Sequence, residues 1–448
     1  LNPSSSHVTG VHPFGGGQPL LDDELLELLE LLLDEALVDV LDEALVDVLD
    51  VLDEALVDVL DVLDAADDPV PEVLAPAWLV STSDEQAESR SAADSVRRGV
   101  AACIVSRMIP SGRMKIGILG AGAIGCYLGG KLVAAGHDVV LVGRWGDEIR
   151  EHGLELTDYA GSRTAIDPGR IVYVADPAAL AGVEAVLVTV KSAATEEAAR
   201  PLASILARPT PIVSFQNGVS NPPRLRAVLP AHPVLAGMVP FNVAHTGPGR
   251  FHNGTSGPLA IEEGGGAGRP LAEALRSAGF EVEVHASLAP IQWSKLLVNL
   301  NNAVNALGGL PLYEQIRDRG YRRVMAMSVR EGLAALRAKG IRPARIGRLI
   351  PRVAPFVLTL PDALFVRVAS AMVKVDRGAR SSMLDDLERR RPTEIDYLNG
   401  EIVRLADEQG TAAPVNRKLI DLVKRAEREG AGSPRIPSAN LLALVTAG

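Results

Sequence analysis

A chain of 448 residues, 47% hydrophobic and 23% charged, has the length of two or three domains and the balance of a globular protein. No run approaches the roughly 18 consecutive apolar residues of a membrane span. Residues 1–20 lack the basic start and apolar run of a secretory signal, and two cysteines, Cys103 and Cys126, exclude a disulfide framework or a multi-cysteine zinc site. The expected compartment is the cytoplasm. The net charge of −11 is uneven: residues 1–113 hold 24 acids against 5 arginines, a balance of −19, which leaves +8 for residues 114–448. That basic body suits anionic small molecules but has no dense basic stripe for a nucleic acid.

The acidic head carries a tandem repeat, LDEALVDV at 33–40, 41–48 and 52–59, and between Asp22 and Asp68 there are 19 acids and no base. At helical spacing the repeat reads as an amphipathic acidic helix, weakened by valines and by acids three or four apart. Residues 65–113 read as linker or disorder on composition. Two expectations follow for 1–113: a docking or self-association helix, or an upstream translation outside the working protein, since Met114 stands immediately before the first convincing strand.

From Met114 the pattern changes to MKIGILGAGAIGCYLGGKLVAAGHDVVLVGR: apolar strand, glycine-rich turn, helix, glycine, second apolar strand. Gly120, Gly122 and Gly125 form G-x-G-x-x-G between strand and helix. In that context the first glycine serves the tight turn, the second the approach of a diphosphate, and the third close helix packing. The loop Gly120, Ala121, Gly122, Ala123, Ile124 and Gly125 is therefore expected to bind a dinucleotide. The second strand ends in Val142, Gly143 and Arg144, and a guanidinium suits the 2′-phosphate of NADP in charge and fork geometry. Asp147 and Glu148, slightly later, are the acids that would favour NAD instead. Two further apolar runs end in polar residues, EAVLVTV at Lys191 and TPIVSF at Gln216 and Asn217. Ligands of an open parallel sheet sit outside the carboxyl ends of its strands, so Lys191 and Asn217 are expected in the crevice.

Further on, WSKLLVN at 293–299 lies in an expected helix over 291–307. There Lys295, Asn299 and Asn302 share one stripe, with Leu296, Leu297, Val298 and Leu300 supplying the apolar contacts. In SSMLDDLERRRPTEIDYLNGEIVRLADEQGTAAPVN at 381–416, Pro392 favours a helix start near Thr393, with Glu394 in its first turn. Asp385, Asp386 and the arginines at 389–391 read as a solvated face. The eight histidines show no ligand spacing and no metal is expected; Cys126 reads as a small packing residue.

Over about residues 114–430 these motifs, from GAGAIG through LVTVKS, SFQNGV and WSKLLVN to the 381–416 segment, resemble the ketopantoate reductases. The resemblance implies an α/β, Rossmann-type dinucleotide-binding domain at about 114–284 and an all-helical domain at about 285–435, with the active site in the cleft between them. The acidic extension, disordered or weakly helical, precedes both, and 436–448 is expected as a tail. It implies NADPH-dependent reduction of 2-dehydropantoate to (R)-pantoate, on the route to pantothenate and coenzyme A. Pairing of helical domains occurs in such proteins, so a homodimer is left open.

By the same resemblance Gly120 to Gly125 hold the diphosphate, Arg144 the 2′-phosphate, and Lys191 and Asn217 complete the crevice for cofactor and substrate. Lys295 is the proton donor, Asn299 and Ser382 hold the substrate, and Glu394 contacts substrate, cofactor and lysine. One departure stands out: the family's second asparagine falls at Ala303, so Asn302 is expected to take its contact, or another branched 2-oxo acid is the substrate. A non-catalytic NADP-binding sensor is the rival from another class.

Overall fold

The computed structural model describes residues 112–447 apart from 207–208, 347–348 and 373–378. The acidic repeat and the linker expected up to residue 111 lie outside the described residues. Among the described residues twelve strands follow in chain order: β1 (Lys115–Leu119), β2 (Asp138–Val142), β3 (Leu154–Asp158), β4 (Arg163–Ile166), β5 (Val172–Val174), β6 (Ala185–Val188), β7 (Ile212–Ser214), β8 (Val234–Met238), β9 (Val243–Gly247), β10 (Arg250–Asn253), β11 (Leu259–Glu262) and β12 (Val282–His285). The principal helices are α1 (Ala123–Ala134), α2 (Asn221–Val228), α3 (Arg269–Ser277), α4 (Ala289–Asn299), α5 (Asn301–Gly308), α6 (Arg319–Ala338), α7 (Ser382–Glu388), α8 (Asn399–Gln409), α9 (Pro414–Glu429) and α10 (Ser438–Thr446).

The apolar runs in KIGIL, DVVLV and AVLV, which follow Lys115 and Asp138 at the starts of the first two, become strands covered on both faces, as parallel strands require. They lie in an eight-stranded sheet of order β12-β11-β8-β7-β6-β1-β2-β5, parallel except where β11 runs against β8. The chain moves outward from β1 to β2 and β5, then returns to add β6, β7 and β8 on the other side. The order therefore reverses between β1 and β6, and at such a switch point the loops leaving the two strands diverge and open a crevice.

A second sheet, β4-β3-β10-β9, was not evident from the sequence. It explains α1, which is apolar all round: Cys126, Tyr127 and Leu128 share one core with Ile118 and Leu141 of the large sheet and with Leu154, Leu156 and Phe251 of the small one.

The helical half is built around the 20-residue α6, whose buried face meets α8, α9 and α10. Glu331 of α6 accepts hydrogen bonds from the backbone N–H groups of Val415 and Asn416, at 2.8 and 2.9 Å, and so caps α9, which has no capping side chain of its own.

Residues 436–448, expected as a tail, carry α10. Leu441 is 0% exposed and Val445 is buried in the helical core. The Tyr321 hydroxyl donates to Ile436 O at 2.7 Å and Ser438 Oγ donates to Asp318 at 2.8 Å. Among the described residues no helix is long and apolar enough to cross a membrane.

Candidate active site

The crevice begins where β1 ends. Gly120 has φ +95°, and the N–H groups of Gly120 and Ala121 both donate to Val142 O, at 3.0 and 2.8 Å, tying the loop to the end of β2. A Cβ on Gly120 would lie 2.4 Å from Val190 Cγ1, and one on Gly125 2.7 Å from Thr189 Oγ1, so these two glycines are fixed by the protein itself. Gly122 differs: a Cβ there would meet nothing nearer than Gly120 O at 3.8 Å. It precedes α1, whose N-terminus has no side-chain cap, and Ala123 and Ile124 in the first turn are half-buried. Uncapped N–H groups beside open space fit the diphosphate of a dinucleotide.

At the end of β2 the Arg144 side chain is exposed. Of the two acids that could favour NAD, Glu148 is engaged elsewhere and Asp147 is exposed. Glu148 accepts from Gly249 N at 2.8 Å and pairs with His245 Nε2 at 2.7 Å, on the second sheet, while Asp147 pairs with Arg150.

The ends of β6 and β7 meet the helical half through one hydrogen-bonded network. Glu394 is 8% exposed; its Oε1 accepts from Ser192 N at 2.9 Å and Ser192 Oγ at 2.8 Å, and its Oε2 from Asn217 Nδ2 at 3.3 Å. Behind them Asn221 Nδ2 donates to Ser192 Oγ at 3.0 Å and Asn217 O at 2.6 Å, and Gln216 Nε2 donates to Thr195 Oγ1 at 2.7 Å. Ser192 and Asn221 were not singled out in the sequence; the signal was their place just after strand-end residues, Ser192 beside Lys191 and Asn221 four beyond Asn217. The helix expected to start near Thr393 is instead a short 3-10 turn, Ile395–Tyr397, and the α-helix begins only at Asn399. Thr393 Oγ1 caps that turn by accepting from Ile395 N at 3.3 Å.

Lys191 forms an ion pair with Asp386 of α7. The expectation of a solvated face is thus corrected for Asp386, which is 7% exposed, while Arg389, Arg390 and Arg391 are exposed as anticipated. Burial pushes the Asp386 carboxyl up, and the Lys191 ammonium opposes that shift.

Lys295, on α4, sends Nζ to the backbone carbonyl of Val239, just beyond β8. Burial lowers its ammonium to about 8, against an upward pull from the Glu394 carboxylate. The single helix expected over 291–307 is two, α4 and α5, meeting at Leu300. Lys295, Asn299 and Asn302 are each half-buried, Leu296, Leu297 and Leu300 are buried, and Val298 is exposed rather than packed.

Ala303 is 0% exposed, inside the core with Val304 and Leu307, so a packing requirement explains its size. Ser382 opens α7 with an exposed side chain; its neighbour Ser381 is the buried one, accepting from Leu384 N at 3.2 Å and donating to Asn302 O at 3.4 Å.

A Rossmann sheet with a dinucleotide-type loop, facing a helical half that contributes a lysine and a glutamate, defines an oxidoreductase that works with a nicotinamide dinucleotide on a small molecule. The family models described as "Ketopantoate reductase PanE/ApbA" and "Ketopantoate reductase PanE/ApbA C terminal" match residues 116–266 and 287–427. The chain is 30% identical over 325 residues to the 2-dehydropantoate 2-reductase of Halobacterium salinarum, covering 71% of this chain and 100% of that protein. It is 29% identical over 329 residues to that of Pyrococcus horikoshii, with the same coverage. Among solved structures, a PanE/ApbA family ketopantoate reductase from Ralstonia eutropha is 33% identical with a TM-score of 0.61, covering 71% of this chain and 99% of that one. A D-mandelate dehydrogenase with NADH and anilino(oxo)acetate shares the fold at 22% identity and a TM-score of 0.58, over 71% of this chain and 99% of that one. The chain belongs to the ketopantoate reductase family.

Proposed function

We propose that this chain reduces ketopantoate to (R)-pantoate with NADPH, and that the observation carrying the reading is Lys295 set beside the Glu394–Ser192–Asn217 network at the strand ends next to the glycine loop. When bound, the nicotinamide supplies a hydride to the carbonyl carbon. Gly120, Ala121, Gly122, Ala123, Ile124 and Gly125 hold the diphosphate, and the exposed Arg144 takes the 2′-phosphate. Lys191 and Asn217 line the crevice, and Asn217 also meets the substrate.

The carbonyl oxygen gains negative charge as the C–H bond forms, and Lys295 Nζ delivers the proton that completes the hydroxyl, to be replaced from solvent. One ammonium N–H is committed to Val239 O, which aims the other two. Glu394 accepts three hydrogen bonds that fix Ser192 and Asn217, and its charge favours the protonated form of the lysine. Asn299, Asn302 and Ser382 bind the substrate's hydroxyl and carboxylate.

The test is NADPH oxidation by the purified chain with ketopantoate and a panel of other 2-oxo acids. Preference for ketopantoate by at least tenfold in kcat/KM is expected. Turnover with another acid alone would overturn the substrate, and intact NADPH binding without any turnover would overturn the enzyme reading in favour of a sensor. Action in the cytoplasm and pairing of two chains belong to the same reading and are tested by fractionation and by sedimentation.

A further inference from the structure

We propose that Tyr173 is a positioning residue for the cofactor, its hydroxyl bridging the diphosphate loop to the turn that carries Arg144 and so setting the placement of the guanidinium for a 2′-phosphate. The inference rests on the reading of Arg144 given above. Tyr173 lies on the edge strand β5 and is 4% exposed. Its hydroxyl donates to Ala121 O at 2.6 Å and accepts from Trp145 N at 3.2 Å, so one oxygen joins the two loops expected to grip opposite ends of the adenosine moiety.

The strand between them is cut to fit. A Cβ on Gly143 would stand 2.2 Å from the tyrosine oxygen and 2.9 Å from Ala121 O, so the residue before Arg144 must be glycine for the phenol to reach through. Gly143 N donates to Val174 O at 2.9 Å, which holds that side of Arg144 to β5. On the other side the Trp145 ring stacks on His245, centroids 4.7 Å apart at 23°, and on Phe251, 5.4 Å apart at 29°. Arg144 thus has both neighbours pinned and its own side chain free to reach a ligand.

The two ends of the bridge are unequally dependent on it. The diphosphate loop is also held by Val142 O, which accepts from Gly120 N and Ala121 N, and by Thr189 Oγ1, which donates to Gly120 O at 2.8 Å. The Trp145 N–H has the tyrosine oxygen as its partner. Loss of the hydroxyl therefore loosens chiefly the Arg144 turn, and burial, which pushes the phenol up, keeps it neutral and able to donate and accept together.

The experiment measures dissociation constants of NADPH and NADH for the full chain, for Tyr173→Phe, Arg144→Ala and the double variant. Tyr173→Phe keeps the ring and hence the core, and a thermal melt of each variant accompanies the titrations. Tyr173→Phe is expected to weaken NADPH about tenfold and NADH no more than about threefold. In the double variant the Tyr173→Phe step should cost NADPH about twofold or less, because both act through one contact. Equal losses for the two cofactors, or additive losses on NADPH, overturn the role of Tyr173 while leaving Arg144 intact. An Arg144→Ala chain that keeps its preference for NADPH overturns the 2′-phosphate reading, and Tyr173 with it.

Discussion

If Lys295 is the proton donor, the reduction should titrate with it. Burial holds its ammonium at about 8, well below an ordinary lysine, so the donor is protonated at neutral pH and lost within the accessible range. At that midpoint about 90% of the lysine is charged at pH 7 and about 10% at pH 9, so kcat/KM should fall about tenfold between them. The assay is initial-rate NADPH oxidation from pH 6 to 9.5 at constant ionic strength. Glu394→Gln supplies the second arm. The carboxylate is the group that raises the lysine, so its removal must move the midpoint to lower pH, and a variant with reduced rates should still show that displacement. Lys295→Arg, whose charge does not titrate in this range, should give a weak but flat profile. A flat profile for the unaltered chain, or a midpoint that Glu394→Gln leaves in place, would refute the assignment of Lys295.

Two other outcomes follow from single positions. Gly120→Ala, at φ +95° and 2.4 Å from Val190, should lower Tm by several degrees. Gly122→Ala, with nothing nearer than 3.8 Å, should leave Tm within about two degrees yet weaken NADPH at least tenfold by titration; equal effects on Tm would argue against the open space as the diphosphate's place. Leu441→Ala should cost about 2–4 kcal/mol in urea unfolding because its site is a core of α6, α9 and α10, and a loss under about 0.5 kcal/mol would return 436–448 to the status of a tail.

The parts of the fold that were legible in the sequence are those whose signal is local. The IGIL of β1 and the AVLV of β6 are apolar throughout because both faces are covered, and the glycine loop between β1 and α1 punctuates them. The second sheet was not legible because β3 (LELTD) and β9 (VAHTG) are half polar, and β3 pairs with β10, ninety-five residues away. Asp385 and Asp386 look alike in sequence, yet successive positions on a helix point about 100° apart, and only the packing of α7 against the β6 loop decides that Asp386 is the buried one. Ser381 and Ser382 differ in the same way, one closing the helix start and the other facing outward. Tyr173 gave no signal at all, since the hydroxyl matters only through partners 28 and 52 residues away.

The contacts between the two halves divide unequally across consecutive strand ends. After β6, Ser192 donates twice to Glu394, and Lys191 pairs with Asp386; after β7, Asn217 donates to Glu394; after β8, Val239 O receives Lys295. Each contact joins a strand end to the helical half, so the residues proposed to react are brought into register only when the strand ends and the helices sit together, and orientation of this kind is where much of a rate enhancement arises. The contacts differ in strength for a physical reason. Glu394 is buried and accepts three hydrogen bonds, whereas in the Lys191 pair only Asp386 is withdrawn from water and the Lys191 side chain is 50% exposed. The Glu394 network therefore fixes the relation of the halves, while the Lys191 pair keeps its cation within reach of solvent and compensates a carboxylate that would otherwise stand buried and unpaired.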